Sequence, residues 1–199
     1  MTLKRFITAC LISTSLILPQ VSYAQGSNNG LYIGAALGWA DIKPKRINII
    51  NMSDGDLSPS LSTTLYTGYD FNHIFALELS ATQISAKSKQ QDNDLNKINI
   101  VNYILTPKWT IPLDDMFSIS LKTGLSYSEA DYEYHHDYNK EHLYYLSYVL
   151  GAGANFTLTP NIRVHVNFEY LEDITNSATF GLIEGISISQ WSLGIDYQF

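Results

Sequence analysis

From Leu31 onward, apolar and polar residues alternate with a period of two. Between Leu31 and Ala40 one face carries Leu31, Ile33, Ala35, Leu37 and Trp39, and the other carries Tyr32, Gly34, Ala36, Gly38 and Ala40. One face is apolar and the other small, the mark of a strand whose two faces meet different surroundings. The pattern returns with apolar faces Leu65/Thr67/Tyr69/Phe71, Phe75/Leu77/Leu79/Ala81, Val101/Tyr103/Leu105/Pro107/Trp109 and Phe117/Ile119/Leu121/Thr123/Leu125/Tyr127. Three more follow, led by Tyr144, Ile162 and Trp191, the last ending at Phe199. The pattern predicts eight amphipathic strands of about ten residues, the length of a tilted transmembrane strand. After Ala24 no apolar run approaches the roughly 18 residues of a spanning helix, which excludes helical membrane crossing.

The connections alternate as well. Short turns fall at Asp70 to His73, Pro112 to Asp115 and Thr159 to Asn161, and long polar segments at Asp41 to Ser60, Ser85 to Lys97, Glu129 to His142 and Glu172 to Glu184. In an up-and-down meander this order gathers the short turns at one end and the long loops at the other, the asymmetry of a transmembrane barrel. A soluble, lipocalin-like barrel with an apolar interior is the competing reading. Against it, the apolar faces carry Trp39, Tyr127, Tyr144 and Tyr170 near the long loops and Trp109, Phe117, Phe156 and Phe199 near the short turns, in the manner of interfacial girdles. The opposite faces combine Gly and Ser with Glu78, Lys108, Lys122, Arg163, His165, Glu169 and Asp196, which suits a narrow, filled interior better than a greasy pocket. The expected fold is all-β, an eight-stranded antiparallel up-and-down transmembrane β-barrel, closed so that no strand edge meets lipid.

Composition narrows the function classes. The chain has 199 residues with a formal net charge of −7, only 16% charged residues and fourteen Tyr. An acidic balance argues against nucleic-acid binding, and 13% aromatic residues argue against disorder. Lys4 and Arg5, the apolar run Phe6 to Leu18, Pro19 and then Ser22-Tyr23-Ala24 have the layout of a cleavable secretory signal. Residues 1–24 are therefore expected to be a signal peptide and residues 25–199 the barrel domain. Ile7-Thr8-Ala9-Cys10 has the look of a lipobox, but too little apolar sequence precedes Cys10 to favour a lipoprotein. Cleavage at Ala24 removes the only cysteine and leaves a still more acidic chain with no disulfide.

Trp191-Ser-Leu193-Gly-Ile195-Asp-Tyr197-Gln-Phe199 resembles the C-terminal signature of bacterial outer-membrane barrels, with a terminal aromatic and apolar residues at every second position before it. Gly30-Leu-Tyr-Ile-Gly-Ala-Ala-Leu-Gly-Trp39 is similar to the opening strand of the OmpA-like, porin-family eight-stranded domain. The resemblance covers residues 25 to 199 and implies a Gram-negative outer-membrane location and recognition of Trp191, Leu193, Ile195, Tyr197 and Phe199 by the barrel-assembly machinery. No peptidoglycan-binding domain follows Phe199, so a cell-wall tether is not expected.

The inward charges set the functional question. Lys108, Lys122, Arg163 and His165 face Glu78, Glu169, Asp70 and Asp196. One reading is a gated, ion-lined pore in which Glu78 exchanges partners between Lys122 and Arg163. The favoured reading is a satisfied salt-bridge plug, because an unpaired charge in a narrow lumen costs several kcal/mol. The third long loop, Glu129 to His142, holds three His and five acidic residues, yet no regular ligand spacing supports a metal, and neither metal nor other cofactor is expected. Its Tyr residues read as strand extension and contact positions. Lys43, Lys45 and Arg46 sit just beyond Trp39, where they either snorkel or meet lipopolysaccharide phosphates. His165 has Arg163 and Asn167 as its same-face strand neighbours and no adjacent Ser on that strand, so no nucleophile-base pair is legible and an enzyme is not expected. The sequence-level expectation is a monomeric surface protein with both termini in the periplasm. It would support the envelope or present its loops to an extracellular ligand; a small-solute or ion channel is the alternative, and a lipid-modifying enzyme ranks behind both.

Overall fold

The computed structural model describes residues 29–44, 59–87, 95–134, 141–174 and 186–199. Residues 1–24, expected to be a signal peptide, lie outside the described residues, as do most of the four long loops. Eight strands run in sequence: β1 Gly30–Pro44, β2 Ser60–Asp70, β3 Phe75–Lys87, β4 Leu95–Pro112, β5 Phe117–Tyr134, β6 Glu141–Thr159, β7 Ile162–Asp173 and β8 Ile186–Gln198. Each pairs antiparallel with the next, and β8 returns to β1 with Ala35 opposite Ile195 and Trp39 opposite Trp191, closing the barrel. Closure gives every strand two partners and leaves no edge.

The outward faces are those predicted. Leu79, Leu105 and Leu125 stand in one row across β3, β4 and β5, and each is exposed. Trp39, Tyr127 and Tyr144 project outward near the long-loop end, and Trp109, Phe117 and Phe199 near the short-turn end. An outward Thr67 hydroxyl donates to the Tyr32 carbonyl at 2.9 Å, so this polar atom is satisfied within the wall.

Two of the three short turns are tied by an Asx device. Asn72 Oδ1 accepts from the Ile74 and Phe75 amides, and Asp114 Oδ1 accepts from the Met116 and Phe117 amides, at 2.7 to 2.8 Å. At the third, Thr159 Oγ1 accepts from Ile162 N at 3.1 Å. Asn161 Nδ2 donates to the Gln198 carbonyl at 2.8 Å, and Phe199 N donates to the Leu31 carbonyl at 3.0 Å, fastening the C-terminus at the seam.

Two features differ from the sequence reading. Strands run from 11 to 19 residues rather than about ten, because β5 and β6 continue through Glu129–Tyr134 and from Glu141, which had been assigned to the third loop. The lumen, moreover, is not lined by small and charged residues throughout. Toward the long loops the hydrophobic alternation changes phase: Asp41, Lys43, Gln83, Ser85 and Asn99 face outward, and Ile42, Ile84, Ile98 and Ile100 face inward. A wall facing water outside and its own core inside has this inverted pattern, so the phase change marks where the barrel leaves the apolar band.

Candidate functional site

The lumen of the short-turn half is a network of ion pairs supplied by every strand except β1 and β6. Glu78 on β3 lies at its centre. Its carboxylate accepts from Lys122 Nζ at 2.6 Å and from the Tyr32 hydroxyl at 2.8 Å, with Lys108 Nζ at 3.8 Å. Lys122 on β5 also reaches Glu169 on β7 at 3.3 Å, which joins opposite walls of the barrel. A second group sits nearer the turns. Arg163 on β7 donates to Asp196 at 2.7 Å and to Asp70 at 2.9 Å, and His165 Nδ1 lies 3.3 Å from Asp196. The eight charged positions that the sequence places inward, Asp70 among them, are therefore brought together. The pairing differs in one respect from the exchange scheme above: the second cation on Glu78 is Lys108, because Arg163 is held between the aspartates of β2 and β8.

Two aromatic residues complete the site. Tyr32 and Tyr66 point inward, with rings 6.3 Å apart, and both Lys108 and Arg163 stand over the Tyr32 ring at about 5 Å. Tyr66 donates to the Ile195 carbonyl at 3.0 Å and packs edge-on against His165. Both rings need glycine beside them: a Cβ on Gly68 would run into the Tyr32 ring, and one on Gly34 into the Tyr66 hydroxyl. The two glycines are the register partners of these tyrosines, Tyr32 opposite Gly68 and Gly34 opposite Tyr66. Neither tyrosine figured as a site residue in the sequence reading; the signal is a Tyr-Gly pair in each direction across β1 and β2, visible only once the register is known.

Above the ion pairs lies a layer of hydroxyls and amides. Thr64 and Thr82 bond at 2.8 Å, and Gln190 Nε2 on β8 donates to Thr64 on β2 at 3.4 Å, past the intervening β1. The other predicted sites are placed only in part. Lys43 is on the outer face, 3.9 Å from Asp41, with more than half of its side chain exposed. Lys45, Arg46, His135 and His136 lie outside the described residues. Trp191, Leu193, Ile195, Tyr197 and Phe199 form one outward row on the closing strand.

A closed eight-stranded wall with apolar outside, aromatic ends and buried ion pairs has known counterparts. The profile of the outer membrane protein beta-barrel domain matches residues 8–199. The chain belongs to this family. Among curated proteins, outer membrane protein A of Escherichia coli O157:H7 is 24% identical over 193 residues, covering 96% of this chain and 54% of its own length. Outer membrane protein A of Shigella flexneri is likewise 24% identical, covering 96% of this chain and 55% of its own length. The chain thus spans about half the length of the curated relatives it matches. Among solved structures, Neisserial surface protein A superposes with a TM-score of 0.67 at 14% identity, covering 88% of this chain and 100% of that one. Ail of Yersinia pestis superposes with 0.58 at 17% identity, covering 86% and 99%. These structures share the fold. Membership places this β-barrel in the Gram-negative outer membrane.

Within such a barrel, the arrangement is suited to cross-bracing. Glu78, Glu169, Asp70 and Asp196 each meet at least one cation, and the Lys122–Glu78, Lys122–Glu169 and Arg163–Asp70 pairs link strands that are not neighbours in the sheet. Burying these groups is costly unless they are paired, and the network supplies the pairing.

Proposed function

We propose that this protein is a non-enzymatic surface barrel with a plugged lumen, contributing to envelope integrity and presenting its long loops to extracellular ligands. The observation that carries this reading is the Glu78–Lys122–Glu169 bridge, which spans the lumen between opposite walls. An eight-stranded interior is just wide enough for side chains, so such a bridge occupies the path an ion would take. Lys43, with Lys45 and Arg46 following it, is proposed to meet lipopolysaccharide phosphates, and the outward row ending at Phe199 to be read by the barrel-assembly machinery.

Reconstitution in planar bilayers tests the plug. The purified protein is expected to give no steady openings, while cells displaying it lose ligand adhesion when the long loops are shortened. Steady wild-type conductance would overturn the plug. Unchanged lipid A on overexpression is expected, and a modified lipid A would overturn the non-enzymatic assignment.

One observation favours a channel as the second reading. Lys122 is shared between two carboxylates, at 2.6 and 3.3 Å, and Glu78 has Lys108 at hand. A small movement of Nζ toward Glu169 would exchange partners without stranding a charge.

A further inference from the structure

The long-loop half of the lumen carries a feature that ion pairing does not use. Ile42, Ile188, Leu171 and Val149 follow one another in register across β1, β8, β7 and β6, forming an apolar arc around one side. Ile84, Ile100 and Ala130 form a second arc across β3, β4 and β5. The two arcs belong to a single buried cluster, and Ile84, Ile100, Val149 and Leu171 are each at most 1% exposed. Asp173, the next inward position beyond Leu171 on β7, bounds the cluster on that strand.

Polar side chains bound the cluster toward the ion pairs. Asn102, one inward position below Ile100, is fully buried, and neither atom of its amide has a hydrogen-bond partner among the described residues. Ser62 stands opposite Ile84, and its hydroxyl is in the same condition. Buried polar atoms of this kind are satisfied by water, whereas the isoleucines above offer water nothing to bond.

We infer that the apolar layer is a dry seal in series with the ion pairs, a second barrier that keeps the lumen closed to ions when the Glu78–Lys122 bridge is broken. A constriction lined by apolar side chains excludes ions by dewetting, whatever happens to charges elsewhere along the path. The phase change in the outer wall supports this assignment. On β1, β3 and β4 it places Ile42, Ile84 and Ile100 where the wall has emerged from the apolar band, so these isoleucines pack as the core of a water-facing wall, while Val149 lies between outward Tyr148 and Leu150 at the edge of the band. Breaking the ion pairs frees charges below the seal and leaves the seal intact.

The inference rests on the plugged-lumen reading, and single-channel recording separates the two. Three proteins are compared in planar bilayers: the wild type, the charge variant Glu78→Gln/Lys122→Gln, and the charge variant carrying Ile100→Ser and Leu171→Ser in addition. Folding of each is checked by the heat-dependent gel migration of a closed barrel; if the combined variant fails to fold, Val149→Ser and Ile84→Thr replace the two apolar changes. The wild type and the charge variant are expected to be silent, with steady openings gained only in the combined variant. Openings in the charge variant alone would overturn the seal and leave the plug standing. Silence in all three would also overturn the seal, since removing it should open the path. Openings in the wild type would overturn both.

Discussion

Glu78 concentrates the electrostatics of the lumen in one residue. Its carboxylate meets Lys122 at 2.6 Å, Tyr32 at 2.8 Å and Lys108 at 3.8 Å, so truncation leaves two buried ammonium groups short of a counter-charge. Removing one partner of a buried pair costs roughly 3–5 kcal/mol, and Glu78→Ala is expected to lose that much in urea unfolding from lipid vesicles. A loss below about 1 kcal/mol would mean that water, not protein, satisfies these lysines. The tyrosines give a second expectation at this scale. A Cβ on Gly68 would meet both the Tyr32 ring and the Leu77 carbonyl, so Gly68→Ala should destabilise by about 1–3 kcal/mol, as overpacking does. In the Tyr32→Ala background, relief of the ring contact should recover part of that loss in the same unfolding measurement. The charged residues were legible because an ionisable group on the small face of a membrane strand has nowhere to go but inward. Tyr32 was not legible as a site residue, because Tyr suits the lipid interface as well as the lumen, and only the register with Gly68 reveals the space reserved for it.

Strands obey a rule set by solvent, and the rule holds where the solvent is uniform. Across the apolar band Leu79, Leu105 and Leu125 face lipid in one row, and alternation alone located them. An arginine in this row must take its charge into hydrocarbon. Leu105→Arg is therefore expected to cost about 2–4 kcal/mol in unfolding from vesicles, and Ser126→Arg, on the inward face of β5, should fail by a different route, by steric overfilling. Thinning the bilayer should relieve the first defect and not the second; equal relief of both would contradict the assignment of faces. Beyond the band the same alternation is ambiguous. In Asn99-Ile100-Val101 apolar residues fall on both faces, so periodicity could not say that Ile100 had turned into the core, and the strand extensions and apolar layer went unread. The turns were legible through Asn72 and Asp114, whose carboxamide and carboxylate oxygens substitute for missing strand acceptors.

At the scale of the molecule, the two ends of the barrel are chemically distinct, and this asymmetry bears on orientation. The short-turn end is closed by three tight connections and by the chain terminus, fastened through Asn161 to Gln198 and through Phe199 to Leu31. The opposite end carries the extended β4, β5 and β6 walls, with Asn99 on β4 and Glu129 and Asp131 on β5 facing outward. Outer-membrane barrels turn short connections to the periplasm and long loops outward, so both termini are expected inside and the extended wall outside. Single cysteines at Asn139 and Asp114 test this in intact cells, in a Cys10→Ser background so that no other thiol competes. Asn139→Cys, between β5 and β6, should label with a membrane-impermeant maleimide without treatment. Asp114→Cys, in the turn between β4 and β5, should label only after the outer membrane is permeabilised. Because that substitution removes the acceptor for the Met116 and Phe117 amides, Asp115→Cys serves as the matched control within the same turn. The reverse labelling order would invert the barrel and put the apolar seal at the periplasmic rather than the external mouth.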